Sequence, residues 1–163
     1  MSAVTLFSRS PAETEELGRL FGSLLTRGTF VALHGELGSG KTCFTRGIVA
    51  AAAPASAHLV ASPTFAIMNE YQGATPLYHF DFYRLASAGE IAELGFEEYF
   101  LGDGICVVEW SERLDYLLPG EHLGVTLEHA GDDRRRLTFE AAGPGPETLL
   151  ARFAELLSSE KFL

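Results

Sequence analysis

The chain has 163 residues, 47% of them hydrophobic, and a formal net charge of -10. That length suits one ordinary domain, residues 1–163, and no apolar run approaches the ~20 residues that span a bilayer. So acidic a surface repels a phosphate backbone, which speaks against strong direct nucleic-acid binding as the main task while leaving a role through a partner protein open.

In chain order, "VTLFS" (4–8) alternates as a short strand. "SPAETEELGRLFGSLLTRG" carries Ser10 as N-cap, Pro11 in the first turn and Glu13 three residues after the cap; Leu17, Leu20, Phe21, Leu24 and Leu25 share one face, which predicts an amphipathic helix. "TFVALHG" predicts a buried strand and "KTCFTRGIVAAAA" a helix. "FAIMNEY" and "LYHFDFYRL" predict two strands around the turn "QGATP". "SAGEIAELGFEEYF" predicts helix in pieces, broken near Gly95, and "GICVVEW" a buried strand. "HLGVTLEHAGDDRRRLTFEAAG" predicts a hairpin turning at "AGDD", and "PETLLARFAELLSS" a closing helix. The order predicts an α/β fold, with a mixed sheet flanked by helices and a C-terminal antiparallel hairpin. The N-terminal segment has no basic start followed by an apolar block, so no secretory leader is predicted. Cys43 and Cys106 read as reduced core residues, and the expected location is the cytoplasm.

The chemistry concentrates in "GELGSGKT", Gly35-Glu36-Leu37-Gly38-Ser39-Gly40-Lys41-Thr42. This is the Walker A pattern, entered by an apolar strand and left by a helix. Glycines let backbone N–H groups converge on phosphate oxygens, and the helix N-terminus adds its dipole. Lys41 offers a point charge to the β and γ phosphates, and Thr42 a hydroxyl to Mg²⁺. Hydrolysis also needs a carboxylate near Mg²⁺, usually at the end of an apolar strand. Glu109, after "ICVV" and before the single Trp, and Asp81, inside "YHFDFYR", both qualify. The plainer alternatives are a solvated strand end for Glu109 and an ion pair with Arg84 for Asp81. "SPTF" (62–65) is either an ordinary turn or a switch loop in which Thr64 offers its hydroxyl or backbone to Mg²⁺ or the γ-phosphate. The single Asn, Asn69, is not followed by Lys-x-Asp, and no Leu-Ser-Gly-Gly run occurs. Adenine is therefore favoured over guanine, and a transporter-type ATPase is excluded.

"GELGSGKT", "SPTF", "YHFDFYRL", "GFEEYF" and "VVEW", in that order and at those spacings, resemble the bacterial TsaE proteins. The resemblance runs from the first helix to the closing helix. It implies a P-loop NTPase-like fold and a small ATPase, binding ATP and Mg²⁺, that supports N6-threonylcarbamoyladenosine formation at position 37 of tRNA. It implies TsaD and TsaB as partners, with tRNA contacted mainly through them. By position, it implies that Gly35 to Thr42 hold the phosphates and that Thr42 meets Mg²⁺. Ser62, Pro63 and Thr64 would form the switch-like loop. Asp81 would act near Mg²⁺, Glu109 would be the metal-side and catalytic carboxylate, and Trp110 its neighbour at the nucleotide. An Arg after the last hairpin turn reaches the nucleotide in the family; "DDRRRL" offers Arg134, Arg135 and Arg136, with the middle one, Arg135, taken as the candidate. Two other functions fit the same loop: a small-molecule kinase, and a nucleotide-gated binding module with little catalysis.

Overall fold

The structure, a computed structural model describing residues 2–60 and 67–162, contains strands β1 (Ser2–Ser8), β2 (Phe30–His34), β3 (Met68–Tyr71), β4 (Leu77–Asp81), β5 (Ile105–Glu109), β6 (His122–His129) and β7 (Arg135–Ala142). They form one sheet in the order β1-β7-β6-β2-β5-β4-β3. The four central strands β6, β2, β5 and β4 run parallel. The outer pairs β3–β4, β6–β7 and β1–β7 are antiparallel. The sheet is therefore mixed and flanked by helices, as the order of elements predicts.

Helix α1 (Pro11–Gly22) starts where the sequence signals place it. The Ser10 hydroxyl accepts from the Glu13 backbone N–H at 3.1 Å, which satisfies one of the orphan donors of the first turn. Helix α2 (Lys41–Ala52) follows β2 directly. It lies so close to α1 that a Cβ on Gly47 would stand 2.0 Å from the Glu15 carbonyl oxygen. Helices α3 (Ala88–Glu93) and α4 (Glu97–Phe100) are separated at Gly95, whose φ of 74° suits glycine. Helix α5 (Pro144–Ser159) closes the chain. Two 3₁₀ segments, 54–59 and 111–117, have no strong sequence signal.

Two apolar layers hold the sheet. On one face α1, α2 and α5 bury Leu17, Phe21, Phe44, Ile48 and Phe153 against Leu33, Val107 and Phe139. Phe21, Phe44, Phe139 and Phe153 pack with ring centroids 4.7 to 5.8 Å apart. Each such ring contributes roughly 1.5–3 kcal/mol of burial. On the other face Phe30, Phe80, Phe82 and Phe100 pack with Ile91 and Leu114.

Two strand ends fall short of the predicted segments. "LYHFDFYRL" is extended only to Asp81. There the Asp81 carboxylate accepts from the Tyr83 N–H at 2.9 Å, an Asx turn that ends the strand. "GICVVEW" is extended only to Glu109, because Trp110 takes a left-handed conformation with φ 60°. Both breaks turn the chain at the same edge of the sheet. "SPTF", with Ser62, Pro63 and Thr64, lies outside the described residues.

Candidate active site

The C-terminal ends of parallel strands are where α/β sheets place their ligands. Here β2 runs into the glycine-rich loop 35–40 and then α2. Gly40, with φ 104°, stands at the N-cap of α2, a conformation that L side chains rarely adopt. Lys41 begins the helix but turns back: its Nζ donates to the Gly35 carbonyl at 2.6 Å and the residue is 5% exposed. The same Nζ stands 4.6 Å from the centre of the Trp110 ring, within cation–π range. Trp110 is held from other sides by Tyr83, centroids 5.0 Å apart, and by the Arg113 guanidinium at 5.6 Å. Arg113 is anchored in turn by donating to the Leu85 carbonyl at 2.6 Å.

The two candidate carboxylates sit side by side. Asp81 and Glu109 are register partners on β4 and β5, so both project to the α2 face. They are 2% and 3% exposed. Asp81 receives the Tyr83 N–H described above, and Glu109 Oε2 lies 2.6 Å from His79 Nε2. Neither is a solvated strand end.

Leu37, Gly38, Gly40, Lys41, Thr42, Asp81, Glu109, Trp110 and Arg135 border one cleft of about 370 Å³. Gly35, Glu36 and Ser39 border a neighbouring depression on the β6 side of the loop. Of the three arginines, Arg135 is the one that borders the cleft. Its Nε and a terminal nitrogen donate to the Ser39 and Gly38 carbonyls at 3.1 and 3.2 Å. Arg136 pairs with Glu128 at 2.9 Å on the sheet surface, and Arg134 is exposed at the turn.

The cleft also includes residues with no local sequence signal for it: Pro11 and Thr14 of α1, Cys43, Tyr83 and Asp133. Only tertiary packing brings the first turn of α1 beside α2. His79 had a readable signal, a polar residue two before Asp81 and therefore on the same face of the strand.

Cys43 is half-buried and borders the cleft. Cys106 is buried, its Sγ donates to the Tyr99 carbonyl at 3.2 Å, and burial pushes its thiol up to about 12. Since the thiolate is the reactive form, alkylation at a pH near the ordinary thiol value of about 8.5 is expected to label Cys43 and spare Cys106 until the protein unfolds. Peptide mass spectrometry after timed iodoacetamide exposure checks this; equal labelling of both would contradict it.

Among the described residues no group of three or more His, Cys, Asp or Glu side chains is arranged to hold a metal. The donors at hand are instead two carboxylates and a threonine hydroxyl beside a lysine. That set fits Mg²⁺, which usually takes one or two carboxylates and completes its shell with phosphate oxygens and water. The buried Ser39 hydroxyl has no partner among the described residues.

The family model described as "Threonylcarbamoyl adenosine biosynthesis protein TsaE" matches residues 8–137. The chain belongs to the TsaE family. TsaE of Bacillus subtilis (strain 168) is 42% identical over 141 residues, 86% of this chain and 87% of that protein. TsaE of Treponema pallidum (strain Nichols) is 39% identical over 131 residues, 80% of this chain and 96% of that protein. Each carries the name tRNA threonylcarbamoyladenosine biosynthesis protein. The crystal structure of Bacillus subtilis YdiB superposes with a TM-score of 0.78 at 34% identity, covering 94% of this chain and 95% of that one. The TsaE family is thus a family of tRNA threonylcarbamoyladenosine biosynthesis, and the fold of this member extends the likeness beyond the matched 8–137 to α5.

Proposed function

We propose that the protein is a partner-stimulated ATPase of tRNA threonylcarbamoyladenosine formation, using ATP and Mg²⁺ in the cleft at the loop 35–42. The observation that carries this is the convergence of Lys41, Thr42, Asp81, Glu109 and Arg135 on that one cleft. Lys41 would exchange its Gly35 carbonyl for the β and γ phosphates. Loop N–H groups and the start of α2 would hold the remaining phosphate charge. Thr42, Asp81 and Glu109 would hold Mg²⁺, which supplies neutralisation of charge on the phosphate oxygens. Glu109 would also orient the attacking water, and Trp110 would border the γ-phosphate side. Arg135 would leave its loop carbonyls to meet the nucleotide. Thr64, in the switch-like loop that the family resemblance implies, would offer its hydroxyl or backbone to Mg²⁺ or the γ-phosphate.

The partners proposed are TsaD and TsaB, with tRNA contacted mainly through them; the net charge of -10 supports that division. Leu37 and Tyr83, on the border of the cleft, are 73% and 44% exposed, an apolar rim suited to being covered. No helix among the described residues is long and apolar enough to cross a membrane, and a tRNA pathway supports a cytoplasmic location.

The test is phosphate release from Mg²⁺-ATP by the purified chain alone, with TsaD, with TsaB and with both. The expected result is slow release alone and at least ~10-fold stimulation by the pair, since completing a phosphoryl-transfer site in trans can add far more than that. A rate that the pair leaves unchanged would rule out the gated reading, and ADP formation that depends on a small acceptor would favour a kinase.

A further inference from the structure

His79 touches the cleft machinery without bordering the cleft. The alternation of β4 sends Leu77, His79 and Asp81 to the α2 face and Tyr78 and Phe80 to the other. His79 is level with Val107 on β5, two residues before Glu109. Its ring therefore reaches along the strand to the Glu109 carboxylate from below, at 2.6 Å between Nε2 and Oε2. The two side chains are 0% and 4% exposed. The other ring nitrogen, Nδ1, is buried with no partner among the described residues. The Tyr71 ring lies beside the imidazole, centroids 6.4 Å apart.

This arrangement fixes the tautomer. A proton on Nε2 is donated to a carboxylate oxygen and leaves only a lone pair unmet. A neutral ring with its proton on Nδ1 would bury an unmet donor and set a nitrogen lone pair against an anion. A buried polar atom without a partner is a cost that an apolar side chain at 79 would avoid, and such exceptions call for a reason. Glu109 supplies one: a buried carboxylate must be hydrogen-bonded to stay charged, and its Oε1 makes no hydrogen bond among the described residues while the residue borders the cleft.

We propose that His79 is a positioning residue for Glu109. It holds Oε2 on the sheet side so that Oε1 is presented to the cleft, beside Asp81 and Thr42. The inference rests on the reading of the cleft as a Mg²⁺-nucleotide site. Outer partners that orient a metal-side ligand typically matter by about 10–100-fold when removed.

The experiment compares wild type with His79→Met, similar in size and without a donor, and His79→Gln, whose amide nitrogen falls near the position of Nε2. His79→Met is expected to bind ADP without Mg²⁺ within about twofold of wild type, to lose at least ~10-fold in kcat in the partner complex, and to lose most of the gain in nucleotide affinity that Mg²⁺ gives. His79→Gln is expected to recover most of both. In a Glu109→Gln background, His79→Met should add little further loss, because the carboxylate it positions is gone. Imidazole ¹⁵N spectra of the wild-type protein need no variant: they should show Nε2 protonated. Wild-type kcat and Mg²⁺ response in His79→Met, failure of His79→Gln to recover either, or a ring whose Nε2 carries no proton overturns the proposal. A wild-type protein with neither turnover nor a Mg²⁺ response would sink the ATPase reading instead, and the ¹⁵N spectrum would still decide whether His79 holds Glu109.

Discussion

Lys41→Ala is expected to weaken ATP binding by about 100-fold, or about 2.8 kcal/mol, and to abolish support of tRNA modification. In the proposed reading the ammonium is the charge offered to the β and γ phosphates. Its burial, at 5% exposure, means that its desolvation has been met on folding and not at the moment of binding. In the structure it rests on the Gly35 carbonyl and over Trp110. The substitution should spare the fold. It removes a buried cation along with its hydrogen bond to the Gly35 carbonyl, and the two effects on stability oppose each other. Trp110 supplies an optical check as the single Trp of the chain: its emission should shift on adding Mg²⁺-ATP to wild type and stay flat in Lys41→Ala. Calorimetric titration measures the affinity directly. An affinity within twofold of wild type, with normal support of modification, would show that the loop serves another purpose.

Local chemistry made much of this protein legible from sequence. α1 is announced by Ser10, Pro11 and Glu13, and the structure contains the Ser10–Glu13 cap bond. The glycine-rich loop is announced by spacing, and Glu109 by an apolar run ending in an acid. The break between α3 and α4 follows from Gly95. What could not be read depends on residues far apart in sequence. Nothing local says that β1 pairs with β7 at the sheet edge, or that the first turn of α1 borders the cleft with Thr42 and Cys43. The choice among Arg134, Arg135 and Arg136 is likewise a matter of hairpin register. Two-residue alternation sends Arg136 to Glu128 across the strand pair and leaves Arg135 facing the loop carbonyls. The strand ends at Asp81 and Glu109 are set by a side-chain turn and a left-handed Trp110, which apolar patterning overruns. His79 is a middle case: its parity with Asp81 is visible in "YHFDFYR", but its contact with Glu109 requires knowing that β4 and β5 are neighbours.

Glu109→Gln is expected to keep nucleotide binding and to lose about 10²–10⁴ in partner-stimulated turnover, the range that a positioned acid–base group supplies. Isostery alone would not make this informative, because an amide has two orientations. His79 removes the ambiguity. With Nε2–H pointing at the side chain, only the amide oxygen can take the Oε2 position, 2.6 Å from the ring in the wild-type protein. The reverse orientation would set N–H against N–H in a site that is 4% exposed or less. The NH₂ group must then face the cleft, where the carboxylate presented an oxygen. A donor stands in place of an acceptor for water, and a neutral group in place of an anion for Mg²⁺. The fold should hold, since the variant exchanges a charge-assisted bond for a neutral one while sparing the burial of a charge, and these changes oppose each other. Thermal unfolding and Mg²⁺-free ADP affinity should therefore stay close to wild type while kcat falls. Turnover at the wild-type rate in the partner complex would remove Glu109 from the chemistry. Asp81, its register partner on β4, would then be the remaining buried carboxylate on the cleft able to act there.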